Sequence, residues 1–185
     1  HFFNGNTTVP SEGKWEDRVE QFCHGYEEAK KAGEKLGLDV FFAWEYSHGG
    51  TDFLTYGLDK EWLLSHPECI ELHIREYCDL VHEYGGFITQ AHPFREAEYI
   101  EMIRLLPRHV DAVETLNACR TEFENLMADK YADDYNLLKV AGSDNHVGLL
   151  ETMSAVEFPK RITSEKEMVS LLRSSDYKYY LYSTK

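Results

Sequence analysis

The chain has 185 residues, 43% hydrophobic and 14% aromatic, and apolar surface spread along its whole length excludes a disordered chain and suits one compact domain over residues 1–185. A formal charge of −14 without any lysine- or arginine-rich run excludes a sequence-independent grip on DNA or RNA, so a small anionic substrate would need local cations or a metal cluster to hold it. No apolar run is long enough to cross a membrane, no signal peptide opens the chain, and Cys23, Cys69, Cys78 and Cys119 form no CxxC pair, so reduced thiols and a cytoplasmic location are expected.

Trp15, Val19, Phe22, Tyr26, Ala29, Gly33 and Leu36 recur at helical spacing, which predicts an amphipathic helix over residues 15–36, stopped by Gly37. Apolar runs at 38–44 and 53–56, rich in β-formers and separated by Gly49-Gly50, predict two strands around a turn. Ile70, Ile74, Tyr77 and Val81 mark a second helical face ending at Gly85-Gly86, and residues 87–91 read as a buried strand. The alternation then repeats, with a helix over 97–106 closed by Pro107, a strand over 110–116, a helix over 121–135 and a strand over 137–141. A strand over 153–158, a helix opened by Thr163-Ser164-Glu165-Lys166 and ending near Ser174, and a strand over 177–182 complete the pattern. Strands alternating with helices predict an α/β fold, a mainly parallel sheet or barrel, with chemistry at the C-terminal strand ends.

Polar residues suited to chemistry do follow the apolar runs. Glu45 comes after Trp44, His92 after Ala91, Glu114 and Asn117 close the 110–116 strand, and Asp144 and His146 follow Ala141-Gly142. Imidazole and carboxylate suit zinc, manganese and iron, and a carboxylate can bridge two ions. In Gly142-Ser143-Asp144-Asn145-His146 the acid and the imidazole stand two apart, on one side of an extended chain. In Gln90-Ala91-His92-Pro93-Phe94-Arg95 the proline turns the chain after the histidine, and Arg95 offers a planar fork for phosphate, with an ion pair to Glu96 or Glu98 as the alternative. A single histidine after a strand is ordinarily structural; the combination of segments carries the metal reading. Glu114 and Asn117 read as supporting or substrate contacts rather than ligands. His24, His66, His73, His82 and His109 fall on helices or loops and read as surface residues, and the tyrosines of 177–182 as a core or edge strand.

Together, Ala43-Trp44-Glu45, Ala91-His92-Pro93 and Gly142-Ser143-Asp144-Asn145-His146 resemble, in order and spacing, the later motifs of the PHP (polymerase and histidinol phosphatase) family. The resemblance implies a distorted, TIM-like (β/α)7 barrel, with the first strand-helix-strand portion and its His-x-His pair upstream of residue 1. His1 then stands for the histidine of the family's Thr-Asp-His strand end. Many relatives carry a histidine where this chain has Thr51-Asp52-Phe53-Leu54, so Asp52 would take that place, with His48 as its competitor and a turn-capping carboxylate as the bland alternative. An oxygen ligand there would shift preference toward manganese or magnesium.

By resemblance the cofactor is two or three divalent ions of manganese, zinc or iron. Glu45 would bridge two of them, His92 and Asp52 would complete one, Asp144 would hold another, and His1 and His146 a third. Glu45, His92, Asp144 and His146 would be catalytic, with Arg95 and Asn117 on the substrate. The implied activity is metal-assisted hydrolysis of a small phosphorylated metabolite or nucleotide phosphate ester. Two other classes stand beside it: a non-catalytic PHP-like interaction module, and a metal-dependent hydrolase of a non-phosphate bond. Nothing in the sequence specifies an oligomeric state.

Overall fold

The computed structural model describes residues 1–146, 148 and 151–183. In chain order they form α1 (Trp15–Leu36), β1 (Ala43–His48), β2 (Thr51–Tyr56), α2 (Lys60–Ser65), a 3₁₀ turn (Pro67–Ile70), α3 (Ile74–Glu83), β3 (Phe87–Ala91), β4 (Ala112–Asn117), α4 (Glu122–Tyr135), β5 (Leu138–Gly142), β6 (Thr152–Glu157), α5 (Glu165–Ser174) and β7 (Lys178–Ser183). One sheet runs β1-β2-β3-β4-β5, and β6 and β7 form a second, antiparallel pair. The first sheet is antiparallel through β1, β2 and β3 and parallel from β3 to β5. The expected α/β class is present, whereas the strand pairings among the described residues form open sheets rather than a closed barrel. Serine side chains join the two sheets where β5 ends: Ser143 Oγ donates to Ser154 O, and Ser154 N donates back to Ser143 Oγ at 2.8 Å.

The β1–β2 hairpin follows from Gly49 and Gly50, whose φ of 58° and 82° are those of a two-residue turn matched to strand twist. Pairing therefore runs up to His48 and Thr51, and β1 lies five residues later than its expected start at 38. Residues 38–42 do not pair; the Phe42 N–H is held by Glu165 Oε1 of α5 at 3.0 Å instead. Residue 2 runs alongside β1, with Phe2 N donating to Glu45 O at 2.7 Å.

The expected helix over 97–106 is not there. Most of its apolar side chains do not face a core: Tyr99, Met102, Ile103 and Leu105 are exposed, and Leu106 packs against the main core. Its backbone polar groups are met by tertiary partners, since Gln90, fully buried on β3, donates through Nε2 to Arg104 O and accepts Leu106 N on Oε1. The second helical face resolves into α2, the 3₁₀ turn and α3. Asp59 caps α2 by accepting Trp62 N, and His73 caps α3 in a capping box with Glu76. His66 is a correction: it is buried, stacked on Trp62 and hydrogen-bonded through Nδ1 to Trp62 O at 2.8 Å. All four cysteines are free, and β7 is exposed along its length. No described helix is long and apolar enough to cross a membrane.

The main core lies between α1, α2, α3 and one face of the hairpin, where Trp44, Tyr46 and Phe53 meet Phe2, Val19, Leu63 and Tyr77. Tyr77 is its polar centre: its hydroxyl takes the Trp44 Nε1 hydrogen and bonds Thr55 Oγ1, each at 2.7 Å, and its ring stacks on Tyr46. Tyr77→Phe leaves two buried partners unpaired and should lower unfolding free energy by about 2–4 kcal/mol, read as a shift in urea midpoint at constant slope.

Asp111, at the entry to β4, accepts Ile88 N at 2.8 Å and His82 Nε2 at 2.9 Å and faces Arg173 of α5 at 3.3 Å, tying α3, β3 and α5 together. Burial pushes its carboxyl up, but the bonds from His82 and Ile88 and the charges of His82 and Arg173 outweigh burial and hold it below its ordinary value of 3.8. A depressed carboxyl contributes stability that is complete above its unfolded pKa and disappears as pH falls through its folded one. Asp111→Asn should therefore cost about 1–3 kcal/mol at neutral pH, and its stability curve should converge on the wild type's below roughly pH 4.

Candidate metal centre

β-strand alternation separates the two faces of the hairpin. Trp44, Tyr46 and His48 lie on the core side of β1, while Glu45 and Ser47 lie on the other with their partners Leu54 and Asp52. Glu45 thus sits inside β1 rather than after it. Asp52 is paired with Ala91 on β3, one residue before His92, so three strands bring Glu45, Asp52 and His92 to one place. Each offers a ligand atom, and the three atoms lie within 4.8 Å of one another. His48 is turned away, its ring packed edge-on against His73 at 5.0 Å.

Asp144 arrives from the end of β5. Its Oδ2 is 3.8 Å from His92 Nε2, which lies 3.9 Å from Glu45 Oε1. His1 Nδ1 contacts Glu45 Oε2 at 2.9 Å, His146 Nε2 contacts Asp144 Oδ1 at 2.8 Å, and the two rings stack loosely with centroids 6.4 Å apart. His146 is exposed. His92 and Asp144 both hold positive φ, 25° and 45°, a region non-glycine residues rarely adopt. Such strain persists where surrounding structure fixes it, commonly at functional sites.

Glu114 of β4 lies beneath the cluster, accepting His92 N at 3.0 Å and Asn117 Nδ2 at 2.9 Å on one oxygen. Asn117 is buried and its amide is spent inside the protein, its Oδ1 taking Cys119 N at 2.8 Å, so it supports Glu114 rather than facing the cleft. Arg95 pairs with neither Glu96 nor Glu98. Its Nη2 donates to Asp52 Oδ2 at 2.8 Å and to Gly50 O at 3.3 Å. Beside it, His1, Asn6, Ser47, Asp52, Arg95 and Tyr99 line a cleft of about 300 Å³.

The electrostatics follow from crowding of acids. Burial, then the charges of Asp52 and Asp144, push the Glu45 carboxyl up to about 7. Burial and the Arg95 charge push the His92 imidazole down, favouring the neutral ring a metal requires. Burial likewise raises Glu114. A site that holds several acids and a neutral imidazole together is short of positive charge.

Arg120 was not singled out by the sequence reading. It lies in the loop after β4, and its Nη2 approaches Asp144 Oδ2 at 3.6 Å. The strand-end rule that selected His92 extends to it, but a lone arginine three residues past a strand carries no local pattern.

These features define a class: an α/β protein with a buried carboxylate-imidazole cluster assembled from several strands. The PHP-associated family matches residues 122–177, from α4 to just before β7. In fold the chain is similar to a two-domain protein from Bacteroides vulgatus described as containing a predicted PHP-like metal-dependent phosphoesterase, at a TM-score of 0.63 and 16% identity, over 85% of this chain and 49% of that one. It is also similar to PsfC from Pseudomonas syringae PB-5123, at a TM-score of 0.61 and 18% identity, over 91% of this chain and 72% of that one. The chain thus spans about half the length of the Bacteroides protein. No protein of curated function matches the sequence. The family match over residues 122–177 and the fold likeness to the Bacteroides protein both point to PHP-type proteins.

Proposed function

We propose that this chain is a metal-dependent phosphoesterase acting on a small phosphorylated substrate. The observation that carries the reading is the convergence of Glu45, Asp52 and His92 from three strands to within 4.8 Å. The donor set fits a divalent cation. His92 Nε2 stands 3.8–3.9 Å from oxygens of Asp144 and Glu45, too far for hydrogen bonds. Two ligands each about 2.1 Å from a shared ion are separated by about 3–4 Å. Glu45, Asp52 and His92 would hold one ion, with Asp144, His146 and His1 placed for a second or third, and manganese, zinc and iron suit these donors.

Bound divalent ions would supply a nucleophilic water at neutral pH and neutralise charge on phosphoryl oxygens. The chain's own residues do the rest. Glu114 fixes the His92 backbone through the N–H, so the imidazole is presented in one orientation. Ser47 donates to Asp52 Oδ1 at 2.6 Å, and Arg95 occupies Oδ2, which together hold the carboxylate in one rotamer. Arg95 remains beside the cleft with a guanidinium suited to phosphate oxygens. The cleft's size favours a metabolite or mononucleotide over a polymer. No specific observation favours a non-catalytic module or hydrolysis of another bond.

The test is elemental mass spectrometry on protein purified without chelator, followed by a panel of phosphate esters with manganese, iron or zinc added. Two or three equivalents of metal and turnover of small esters are expected. Absence of metal after incubation with all three ions would overturn the proposal.

A further inference from the structure

We infer that Arg95 and Arg120 form a two-arginine clamp that selects phosphomonoesters over diesters, Arg120 being the specificity-determining member. The inference rests on the phosphoesterase reading and names its substrate class. Arg95 stands on the Asp52 side of His92 and Arg120 on the Asp144 side, and the charges of both act on the His92 ring. The guanidinium of Arg95 is tethered by Asp52 and Gly50. Among the described residues, that of Arg120 is held by nothing closer than the 3.6 Å approach to Asp144, beyond hydrogen-bond length.

The Nε of each arginine is buried and without a partner among the described residues. Buried donors are normally satisfied, so each orphan calls for a partner. Two incompletely bonded guanidinium groups thus flank one cluster, Arg95 fixed in place by Asp52 with donors to spare and Arg120 able to turn toward an anion between them. Arginine keeps its charge at any working pH and presents donors in a planar fork. A monoester at neutral pH carries close to two negative charges and three non-bridging oxygens. A diester carries one charge and two such oxygens, so a second guanidinium gains less from it once the ions and Arg95 are engaged. Arg120 also lies near Glu124, but both Glu124 oxygens are spent on the backbone N–H groups of Glu96 and Thr121.

The test uses Arg120→Gln and Arg120→Lys in the full chain loaded with manganese. Equilibrium binding of inorganic phosphate and of dimethyl phosphate is measured by calorimetry, alongside metal content and turnover of p-nitrophenyl phosphate and bis(p-nitrophenyl) phosphate. Arg120→Gln should weaken phosphate binding roughly 10- to 100-fold and lower the monoester-to-diester ratio of kcat/KM by a similar factor. Arg120→Lys should recover part of both, and metal content should stay at the wild-type value. Unchanged phosphate binding, or a loss of metal that weakens both ligands equally, overturns the clamp while leaving the phosphoesterase reading intact. Wild-type protein that binds metal but neither binds phosphate nor turns over either ester overturns both.

Discussion

His92→Ala is expected to reduce tightly bound metal to background and to lower kcat/KM for any phosphate ester by more than about 100-fold, since loss of a residue that only supports a ligand costs 10- to 100-fold. His92 is the hub of the site. Its Nε2 faces Glu45 and Asp144 at 3.9 and 3.8 Å, and with Asp52 and Glu45 it makes a grouping of donors within 4.8 Å of one another. Its removal leaves three carboxylates facing one another without the neutral donor between them. Asp144→Ala should abolish turnover through the opposite side of the cluster, because it removes a group that His92, His146 and Arg120 all approach. Elemental mass spectrometry and steady-state kinetics on the same preparations separate lost metal from lost chemistry. Full activity in either variant would refute the site.

Gly142→Ala should be nearly as damaging although it touches no proposed ligand. A Cβ at residue 142 would stand 2.2 Å from Glu114 Oε1, inside any permitted contact. Glu114 cannot step aside cheaply, because its other oxygen holds His92 N and Asn117 Nδ2 and its side chain is buried. Either the carboxylate swings, releasing the His92 backbone, or β5 moves, displacing Asp144 two residues on. Overpacking with loss of buried hydrogen bonds predicts a destabilisation of about 2–4 kcal/mol, measured by denaturant unfolding, with a parallel loss of metal affinity. Wild-type stability and metal content in this variant would mean that Glu114 is not fixed as described.

Much of the scaffold was readable because local patterning reports burial. The helical spacing of α1, the capping sequence of α5, the glycine pair between β1 and β2 and the apolar runs of β3 and β5 each announced their elements within a few residues. The segment over 97–106 was misread because its apolar residues repeat as a helix would, while the hydrogen bonds that claim its backbone come from Gln90, distant in sequence. His66 was misread because stacking on Trp62 is invisible to spacing.

By itself the sequence determined that a histidine, a glutamate and an Asp-x-His pair would stand at or near strand ends, because strand runs and the polar residues beside them are local features. Only the tertiary structure decided which of these meet. Antiparallel register put Asp52 opposite Ser47 and next to Ala91, choosing it over His48 by the two-residue alternation of β1. It turned Asn117 inward under Glu114, tethered Arg95 to Asp52 and brought Arg120 up to Asp144. The reason is physical: periodicity records which face of an element is buried, whereas strand pairing and charge proximity depend on partners far away along the chain.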